Sequence, residues 1–322
     1  MACKAEVEES FHTVTPVGTV LGSGRGRTAD QVAGSVLATC AMVSFLAVAA
    51  IVLYMVQKGA PAILEVGWKE ILFGRVWDPV GTPPRFGILY IVLTSLVGTC
   101  LAVLLGSSVG VLTAVFLAEL AREPWAGIVR TAVELLAGIP SVVYGLLGIY
   151  LLNPLMYRLE RKVFAGSDRH QFTGGANLLC AVLVLAVMIL PTVISVTETA
   201  IRSVGQELCA ASLALGASRM QTIFRQILPA ARSGVATGVV LGVGRALGES
   251  MAVMLVAGNC VNVPLPFCSV RFLTTAIVSE MGYAQGTHRG VLFAIGLVLF
   301  GFITLINGVV LGILKKGASK FG

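Results

Sequence analysis

The sequence predicts an all-α membrane protein with six transmembrane helices, and two properties of the chain lead to that prediction. Of its 322 residues, 56% are hydrophobic and only 12% are charged, whereas a soluble domain carries about 25% charged residues. The apolar residues also collect in six runs, each close to or above the roughly 20 residues that a helix needs to cross the hydrocarbon of a bilayer. The net charge of +7 assigns no function by itself, because basic residues also set membrane topology.

The six apolar runs are the predicted membrane spans. They cover residues 32–56, 88–117, 131–152, 176–199, 233–257 and 290–314. Pro140 and Pro191 lie inside the third and fourth runs, where proline kinks a helix. The N-terminal segment mixes acidic residues with a Gly/Arg stretch and has no apolar core, so we expect a disordered cytosolic tail rather than a cleavable signal. The predicted organisation is a tail (1–31), a first transmembrane helix with an outer loop (32–87), a main transmembrane domain (88–314) and a cytosolic tail (315–322).

Two charged residues lie in the middle of the fifth span. Arg245 and Glu249 are four residues apart in an otherwise apolar run. A charge at membrane depth costs about 2.5–3.5 kcal/mol on insertion scales, so such residues usually face a cavity or a partner. On a continuous helix the two side chains would share one face. Two interpretations are open: a site at which the guanidinium replaces the hydration shell of an anion, or a purely structural buried ion pair.

The segment between the fourth and fifth spans has strong helical order of its own. Ser218 and Gln221 have the spacing of a capping box. The apolar residues that follow recur at helical spacing and form one stripe: Met220, Ile223, Phe224 and Ile227. Gly216 permits a sharp turn after a first short helix over 207–215, and we expect Pro229 to end the second helix. Two such helices fit a groove on a partner protein or lie on the bilayer surface.

The remaining patterns exclude several kinds of site. The seven cysteines form no CxxC pair, so a zinc or redox motif is not expected. Cys260 and Cys268 share one loop, and a disulfide between them outside the cytosol stays open. No phosphate loop of the form G-x-x-x-x-G-K-[ST] occurs, so we expect ATP to be hydrolysed by another chain. No nucleophile–base pair is evident, and we expect no catalysis and no cofactor in this chain.

The loop between the fourth and fifth spans resembles the EAA loop of ABC importer permeases, which is cytosolic and docks into an ATP-binding subunit. The residues that the resemblance assigns to docking are Glu207, Ala210, Ala211, Gly216, Leu228 and Pro229. The glycine, leucine and proline match the family pattern, whereas Ala210 stands where the family has glutamate. Glu207, about one helical turn earlier, is a candidate substitute. Since the Lys and Arg residues are spread almost evenly over both sides, this loop sets the orientation, with both termini in the cytosol.

Three further segments resemble the phosphate-specific ABC permeases, and the PstC type more than the PstA type. They are GVGRALGESMAVMLVAGN (242–259), ELLAGIPSVVYGLLG (134–148) and, less tightly, WDPVGTPPRFGILYIVLTSL (77–96). The resemblance covers about residues 60–315. It implies the type I ABC importer (MetI-like) permease fold, with 88–314 as the permease domain. It also implies the transmembrane subunit of an ATP-driven inorganic phosphate importer in the inner membrane.

The resemblance further implies a substrate path and partners. The path residues are Ser141, Tyr144, Arg245 and Glu249, although Ser141 and Tyr144 also suit interhelical packing. The expected partners are a PstA-type permease subunit, two PstB-type subunits that use ATP and Mg, and a PstS-type phosphate-binding protein. Three alternatives stay open: a permease for molybdate, tungstate or sulfate, a membrane component that mainly reports phosphate supply, and an ion-driven transporter working alone.

Overall fold

The computed structural model describes residues 25–166 and 170–318, and most of them are helical. The helices are α1 (Arg25–Val66), α2 (Trp68–Phe73), α3 (Leu89–Val115), α4 (Trp125–Gly138), α5 (Ser141–Leu147), α6 (Asn153–Val163), α7 (Leu178–Arg202), α8 (Gln206–Ala214), α9 (Arg219–Thr222), α10 (Leu228–Ala230), α11 (Arg232–Gly248), α12 (Met251–Val256), α13 (Leu273–Glu280) and α14 (Gly286–Ala318). Segments of π-helix continue α3, α5 and α9 over Phe116–Leu120, Gly148–Leu152 and Ile223–Ile227. A short antiparallel hairpin joins β1 (Trp77–Asp78) to β2 (Arg85–Phe86).

The chain divides at Tyr54 into two compact units. In the first unit the structure describes the helical residues from Arg25, and apolar side chains such as Leu37 and Phe45 are exposed, as suits a helix in hydrocarbon. Residues 1–24 of the predicted tail (1–31) lie outside the described residues. Helix α1 begins at Arg25, within the segment predicted as the tail, and its apolar span begins at Gln31. The second unit, from Met55 onward, holds all the elements discussed below.

The described residues contain five helical segments that are long and apolar enough to cross a membrane. They are Gln31–Val66, Leu89–Leu120, Ser141–Val163, Leu178–Arg202 and Gly286–Val309. A sixth is reached when the bent pair Arg219–Ala230 and Arg232–Gly248, which meet at 70°, is counted as one span. The prediction of an all-α protein with up to six spans is therefore confirmed, although the limits of individual spans differ from those predicted.

The largest difference concerns the third span, predicted over 131–152. Helix α4 ends at Gly138, and Ile139 and Pro140 are extended, with ψ angles of 126° and 142°. Proline has no N–H to continue the helix and also disfavours helical geometry in the residue before it. Pro140 therefore breaks the helix where a kink was predicted, and the apolar span runs from Ser141 to Val163 instead of over 131–152. Pro191, by contrast, lies within the continuous helix α7.

The centre of the bundle is a close packing of α3 and α11 against α7. A Cβ atom at Gly106 of α3 would lie 2.6 Å from Ile189 Cγ1 and 2.7 Å from the carbonyl oxygen of Ala186. On the other side, a Cβ atom at Gly238 of α11 would lie 3.0 Å from Thr197 Oγ1. Glycine is needed at such positions because the helix backbones approach closely. The helix that carries Arg245 is thereby held against the middle of the bundle.

One end of the bundle, which we call the far end, is closed around a buried carboxylate. Glu280, at the end of α13, is only 4% exposed. It accepts hydrogen bonds from Trp77 Nε1 at 3.1 Å, Arg271 Nη1 at 2.5 Å and His288 Nε2 at 2.8 Å. The charge is thus paired and fully bonded, as a buried carboxylate requires. The opposite end, which we call the loop end, carries the segment 203–231.

Candidate functional site: a broken membrane helix and an exposed helical loop

The fifth span is broken at the residue that was predicted to share a helical face with Arg245. Helix α11 ends at Gly248, and Glu249 is extended, with φ −75° and ψ 123°. Helix α12 starts two residues later, at Met251. The prediction that Arg245 and Glu249 lie on one face of a continuous helix was therefore wrong. No salt bridge joins them among the residues that the structure describes.

Two hydrogen bonds stabilise this break. Glu249 Oε1 accepts from the backbone N–H of Ala252 at 3.1 Å, so the carboxylate satisfies a donor in the first turn of α12. The backbone carbonyl of Glu249 accepts from Thr274 Oγ1 of helix α13 at 2.9 Å. Gly248, just before the break, is a poor helix former. A glycine followed by a side chain that caps the next helix explains why the apolar run does not continue as one helix.

Arg245 lies in the last turn of α11, and its side chain is exposed in this chain. No described residue gives it a hydrogen bond or an ion pair. Its charge is favourable at the C-terminal end of a helix because of the helix dipole. Five N–H donors of its guanidinium are nevertheless free for another partner. Within the described part of the chain, Arg245 is thus a membrane-embedded cation with unused donors.

Tyr144 is the sequence-predicted path residue that the structure brings near Arg245. The Arg245 charge acts on the Tyr144 hydroxyl, and the Tyr144 side chain is buried, at 6% exposure. Its hydroxyl donates to the backbone carbonyl of Leu136 at 2.6 Å, across the break at Pro140. The hydroxyl hydrogen is therefore in use, while the oxygen can still accept a hydrogen bond. Ser141 begins α5 and is half-buried.

The two broken spans pack against each other next to this site. A Cβ atom at Gly145 of α5 would lie 2.6 Å from Leu255 Cδ1 and 3.0 Å from Ala252 Cα, both on α12. Tyr144 on one helix and Glu249 at the start of the other are thereby held in the same region. Neither Thr274 nor the Leu136 carbonyl was found from sequence. Thr274 lies in a helix of eight residues, too short to be recognised as a span.

The loop end carries the helical segment that the sequence predicted between the fourth and fifth spans. Helices α8 and α9 are separated by Gly216, whose φ of 86° is left-handed, a conformation that glycine adopts without strain. Ser218 and Gln221 form the predicted capping box. Helical winding continues through Pro229 to Ala230, so the expectation that Pro229 ends the helix was wrong. Proline is tolerated there because it lies in the first turn of α10.

The predicted apolar stripe of this loop divides into a buried and an exposed part. Ile223 and Ile227 are buried, at 1% and 3% exposure, whereas Met220 and Phe224 are 51% and 46% exposed. Residues 223–227 are wound as a π-helix, which departs from the predicted α-helical spacing, while Met220 lies before it on α9. We call eight of the exposed residues of the loop the coupling surface: Glu207, Leu208, Ala210, Ala211, Leu213, Leu215, Met220 and Phe224. Leu228 is half-buried, and Pro229 is exposed.

A bundle of apolar helices with a broken, charge-bearing span and an exposed helical loop at one end is typical of a permease subunit of a transporter. The sequence signature of the family described as "Binding-protein-dependent transport system inner membrane component" matches residues 106–316. The chain belongs to this family, and its relatives place it with the PstC-type permeases. This membership confirms the predicted type I ABC importer permease fold and agrees with the multi-pass membrane location.

Two curated relatives illustrate the similarity. The probable ABC transporter permease protein YqgH of Bacillus subtilis is 36% identical over 298 residues, which are 89% of this chain and 93% of that protein. The phosphate transport system permease protein PstC of Pasteurella multocida is 32% identical over 283 residues, which are 84% of this chain and 85% of that protein. These relatives are transport permease subunits, and the similarity extends over most of both chains.

Solved structures support the fold independently. A subunit of a bacterial alginate ABC transporter, in complex with its alginate-bound periplasmic protein, is 19% identical, with a TM-score of 0.60 over 88% of this chain and 94% of that chain. A subunit of the inward-facing MetNI methionine ABC transporter is 20% identical, with a TM-score of 0.54 over 71% of this chain and 95% of that chain. Permeases of this family work with an ATPase subunit and a binding protein.

Proposed function

We propose that this chain is the transmembrane subunit of an ATP-driven importer of inorganic phosphate, with Arg245 on the substrate path. The observation that carries the proposal is the Arg245 guanidinium, which lies beside the break in the fifth span without a carboxylate partner among the described residues. An uncompensated charge in a membrane helix is retained where it serves a cavity or a ligand. Relatives named for phosphate transport, such as PstC of Pasteurella multocida, favour phosphate as that ligand.

The chemistry of the site suits a hydrated oxyanion. Phosphate at neutral pH carries one to two negative charges, and a guanidinium offers a planar fork of donors that replaces part of its water shell. Tyr144 lies within the electrostatic reach of Arg245, and its oxygen can accept a hydrogen bond from a protonated phosphate. Ser141 offers a further hydroxyl. Glu249 is held by Ala252 and Thr274, and we assign its negative charge to weakening anion binding so that release is possible.

The loop end is assigned to energy coupling. Its coupling surface presents large apolar side chains, with Leu215 at 89% exposure, and these suit a hydrophobic groove on a partner. In our proposal the partner is a PstB-type ATPase, which binds ATP and Mg, so this chain needs no cofactor and hydrolyses nothing. A PstA-type permease subunit completes the path. The loop end and both termini then face the cytosol, and the far end faces a PstS-type phosphate-binding protein.

The test is uptake of labelled phosphate by cells that lack their own high-affinity phosphate permease and express this chain with its cognate subunits. We expect Arg245→Ala to abolish uptake and Arg245→Lys to retain part of it, because lysine keeps the charge but loses the fork of donors. Arg158→Ala is the matched control, since Arg158 is exposed on α6, far along the chain from the break at Pro140 and from the break at Glu249.

Competition between labelled phosphate and other oxyanions tests the identity of the substrate. Uptake that excess sulfate and molybdate leave unchanged supports phosphate. If excess sulfate or molybdate abolishes phosphate uptake, the substrate assignment changes to that oxyanion. Full uptake by Arg245→Ala in a well-assembled complex would remove Arg245 from the path.

A further inference from the structure

Helix α3 ends at the loop end in a π-helical turn, and two arginines from other elements bind its last carbonyl groups. The final carbonyls of a helix have no donor within the helix. Here Arg202 Nη2, at the end of α7, donates to the carbonyl of Leu117 at 3.0 Å. Arg219, the first residue of α9, donates through Nη2 to the carbonyl of Glu119. Positive charge is also favourable at this end of the helix dipole. We call these two contacts the arginine clamp.

The Arg202 half of the clamp is fixed within the bundle. Glu198 Oε1 accepts from Arg202 Nε at 2.9 Å and from Arg130 Nε at 2.8 Å. The Glu198 side chain is only 11% exposed, whereas those of Arg130 and Arg202 are 32% and 49% exposed, so the cluster lies at the edge of the bundle with its carboxylate shielded from solvent. It joins α4, α7 and the end of α3. Arg202 therefore holds α3 to its neighbours within the bundle.

The Arg219 half of the clamp joins the bundle to the loop. Arg219 follows Ser218 directly, and the capping box of Ser218 and Gln221 fixes the start of α9. The carbonyl that it binds, that of Glu119, is 100 residues earlier in the chain. Nearby, Ile223 and Ile227 pack in an apolar cluster with Leu117. Such apolar contact is not directional, whereas a hydrogen bond requires a defined geometry. Arg219 thus fixes the register of α9 on the end of α3.

From the end of α3, a continuous series of close contacts leads to Arg245. Gly106 and Gly110 of α3 lie against Ile189 and Val193 of α7. Gly242 of α11, three residues before Arg245, lies against the same Val193. Close-packed interiors transmit displacement because they have few voids to absorb it. A shift of the loop that is passed to α3 therefore reaches the helix that carries Arg245.

We propose that Arg219 is a positioning residue that makes helix α3 follow the movement of the coupling surface, so that ATP-driven movement of the loop reaches the substrate path. The proposal rests on the proposed function in one respect, since it requires an ATPase partner on the coupling surface. It assigns to Arg219 a task in energy coupling and none in holding the fold, because Ile223 and Ile227 already anchor the loop.

The first experiment measures phosphate import and ATP hydrolysis together, in the full complex reconstituted in liposomes. We expect Arg219→Ala to assemble and to hydrolyse ATP, but to import roughly two- to fivefold less phosphate per ATP, because the lost charged hydrogen bond is exposed to solvent and such contacts are weak. Arg219→Lys should recover part of this ratio, since it keeps a charged donor. Arg122→Ala is the matched control, because Arg122 is exposed on the same end of the molecule. An unchanged ratio in Arg219→Ala overturns the proposal.

The second experiment needs no substrate, so it separates this proposal from the phosphate assignment. Spin labels are placed at Arg225 of the loop, which lies outside the coupling surface, and at Leu112 of α3, both exposed, in a cysteine-free chain within the full complex. We expect the distance between the labels to stay constant when ATP and vanadate are added, because loop and helix move together. In Arg219→Ala the distance should change. If the distance between the labels changes by the same amount in the protein with Arg219 and in Arg219→Ala, the role of the arginine clamp is contradicted, even if phosphate import is normal.

Discussion

Thr274 Oγ1 donates a hydrogen bond of 2.9 Å to the backbone carbonyl of Glu249, and this bond ties helix α13 to the break in the fifth span. The carbonyl is one of those that the break deprives of a helical donor. The extended conformation of Glu249 is thus supported from outside its own helix. The position of Arg245, one turn earlier, depends on where the break falls.

Removing the Thr274 hydroxyl should impair transport through this break. We expect Thr274→Val to lower phosphate uptake several-fold, because the Glu249 carbonyl loses its donor at a cost of about 1–3 kcal/mol if it stays dry. Thr274→Ser keeps the hydroxyl and should transport normally. Thr304→Val is the control, since the Thr304 hydroxyl bonds only Phe300 O of its own helix, at 2.8 Å. Equal uptake by the valine and serine variants at position 274 would show that the bond is not needed.

Substitutions of Gly216 should separate backbone strain from steric bulk. A Cβ atom at Gly216 would meet nothing within 4 Å, so only the φ of 86° opposes a side chain, at about 1–2 kcal/mol for most residues. We expect Gly216→Val to hydrolyse ATP but to import little phosphate, because the turn between α8 and α9 is altered. Gly216→Asn should retain import, since asparagine tolerates this conformation. Normal ATP-driven uptake by the valine variant would remove the docking role of this turn.

The two cysteines of the far end should differ in reactivity. Burial, and to a lesser extent the negative charge of Glu160, raises the pKa of the Cys268 thiol, whereas Cys260 is exposed. A raised pKa lowers the thiolate fraction at neutral pH, and the thiolate is the reacting species. We expect single-cysteine chains to show slower maleimide labelling at Cys268 than at Cys260, with the Cys268 rate still rising at alkaline pH.

Maleimide labelling also tests whether the thiols of Cys260 and Cys268 are free, and which side of the membrane Cys260 and Cys209 face. Both thiols are free in the structure, so a reductant should not change their rates. A membrane-impermeant maleimide added to intact cells should label Cys260 and leave Cys209, on helix α8, untouched. Labelling of Cys209 alone would reverse the proposed orientation of the termini.

The packing of α3 on α7 should be sensitive to a single methyl group. A Cβ atom at Gly106 would lie 2.7 Å from the backbone carbonyl oxygen of Ala186, which cannot move without shifting α7. We expect Gly106→Ala to destabilise the purified complex by about 1–3 kcal/mol, as overpacked cores do, and to lower its thermal midpoint. Gly301→Ala on α14 is the control, because nothing lies within 4 Å of its added methyl. Equal midpoints for the two variants would contradict this packing.

Hydrophobic length predicted the membrane spans well because crossing a bilayer leaves a long apolar signal. The break at Glu249 was missed because it depends on Thr274, which is 25 residues away and lies in a helix too short to give such a signal. The π-helix at Ile223–Ile227 was missed for a related reason, since its apolar residues fit ordinary helical spacing. Capping chemistry is local, and the Ser218–Gln221 box was predicted correctly.

The carboxylate of Glu280 has a consequence for the biosynthesis of this protein. It binds Trp77, which is synthesised 203 residues earlier, and His288, which follows it on the last helix. Because the chain leaves the ribosome from its N-terminus, Trp77 of the β1–β2 hairpin cannot donate to Glu280 until α13 has been synthesised. The far end of the bundle therefore closes only after the final helix has entered the membrane, and a nascent chain truncated before Glu280 leaves it open.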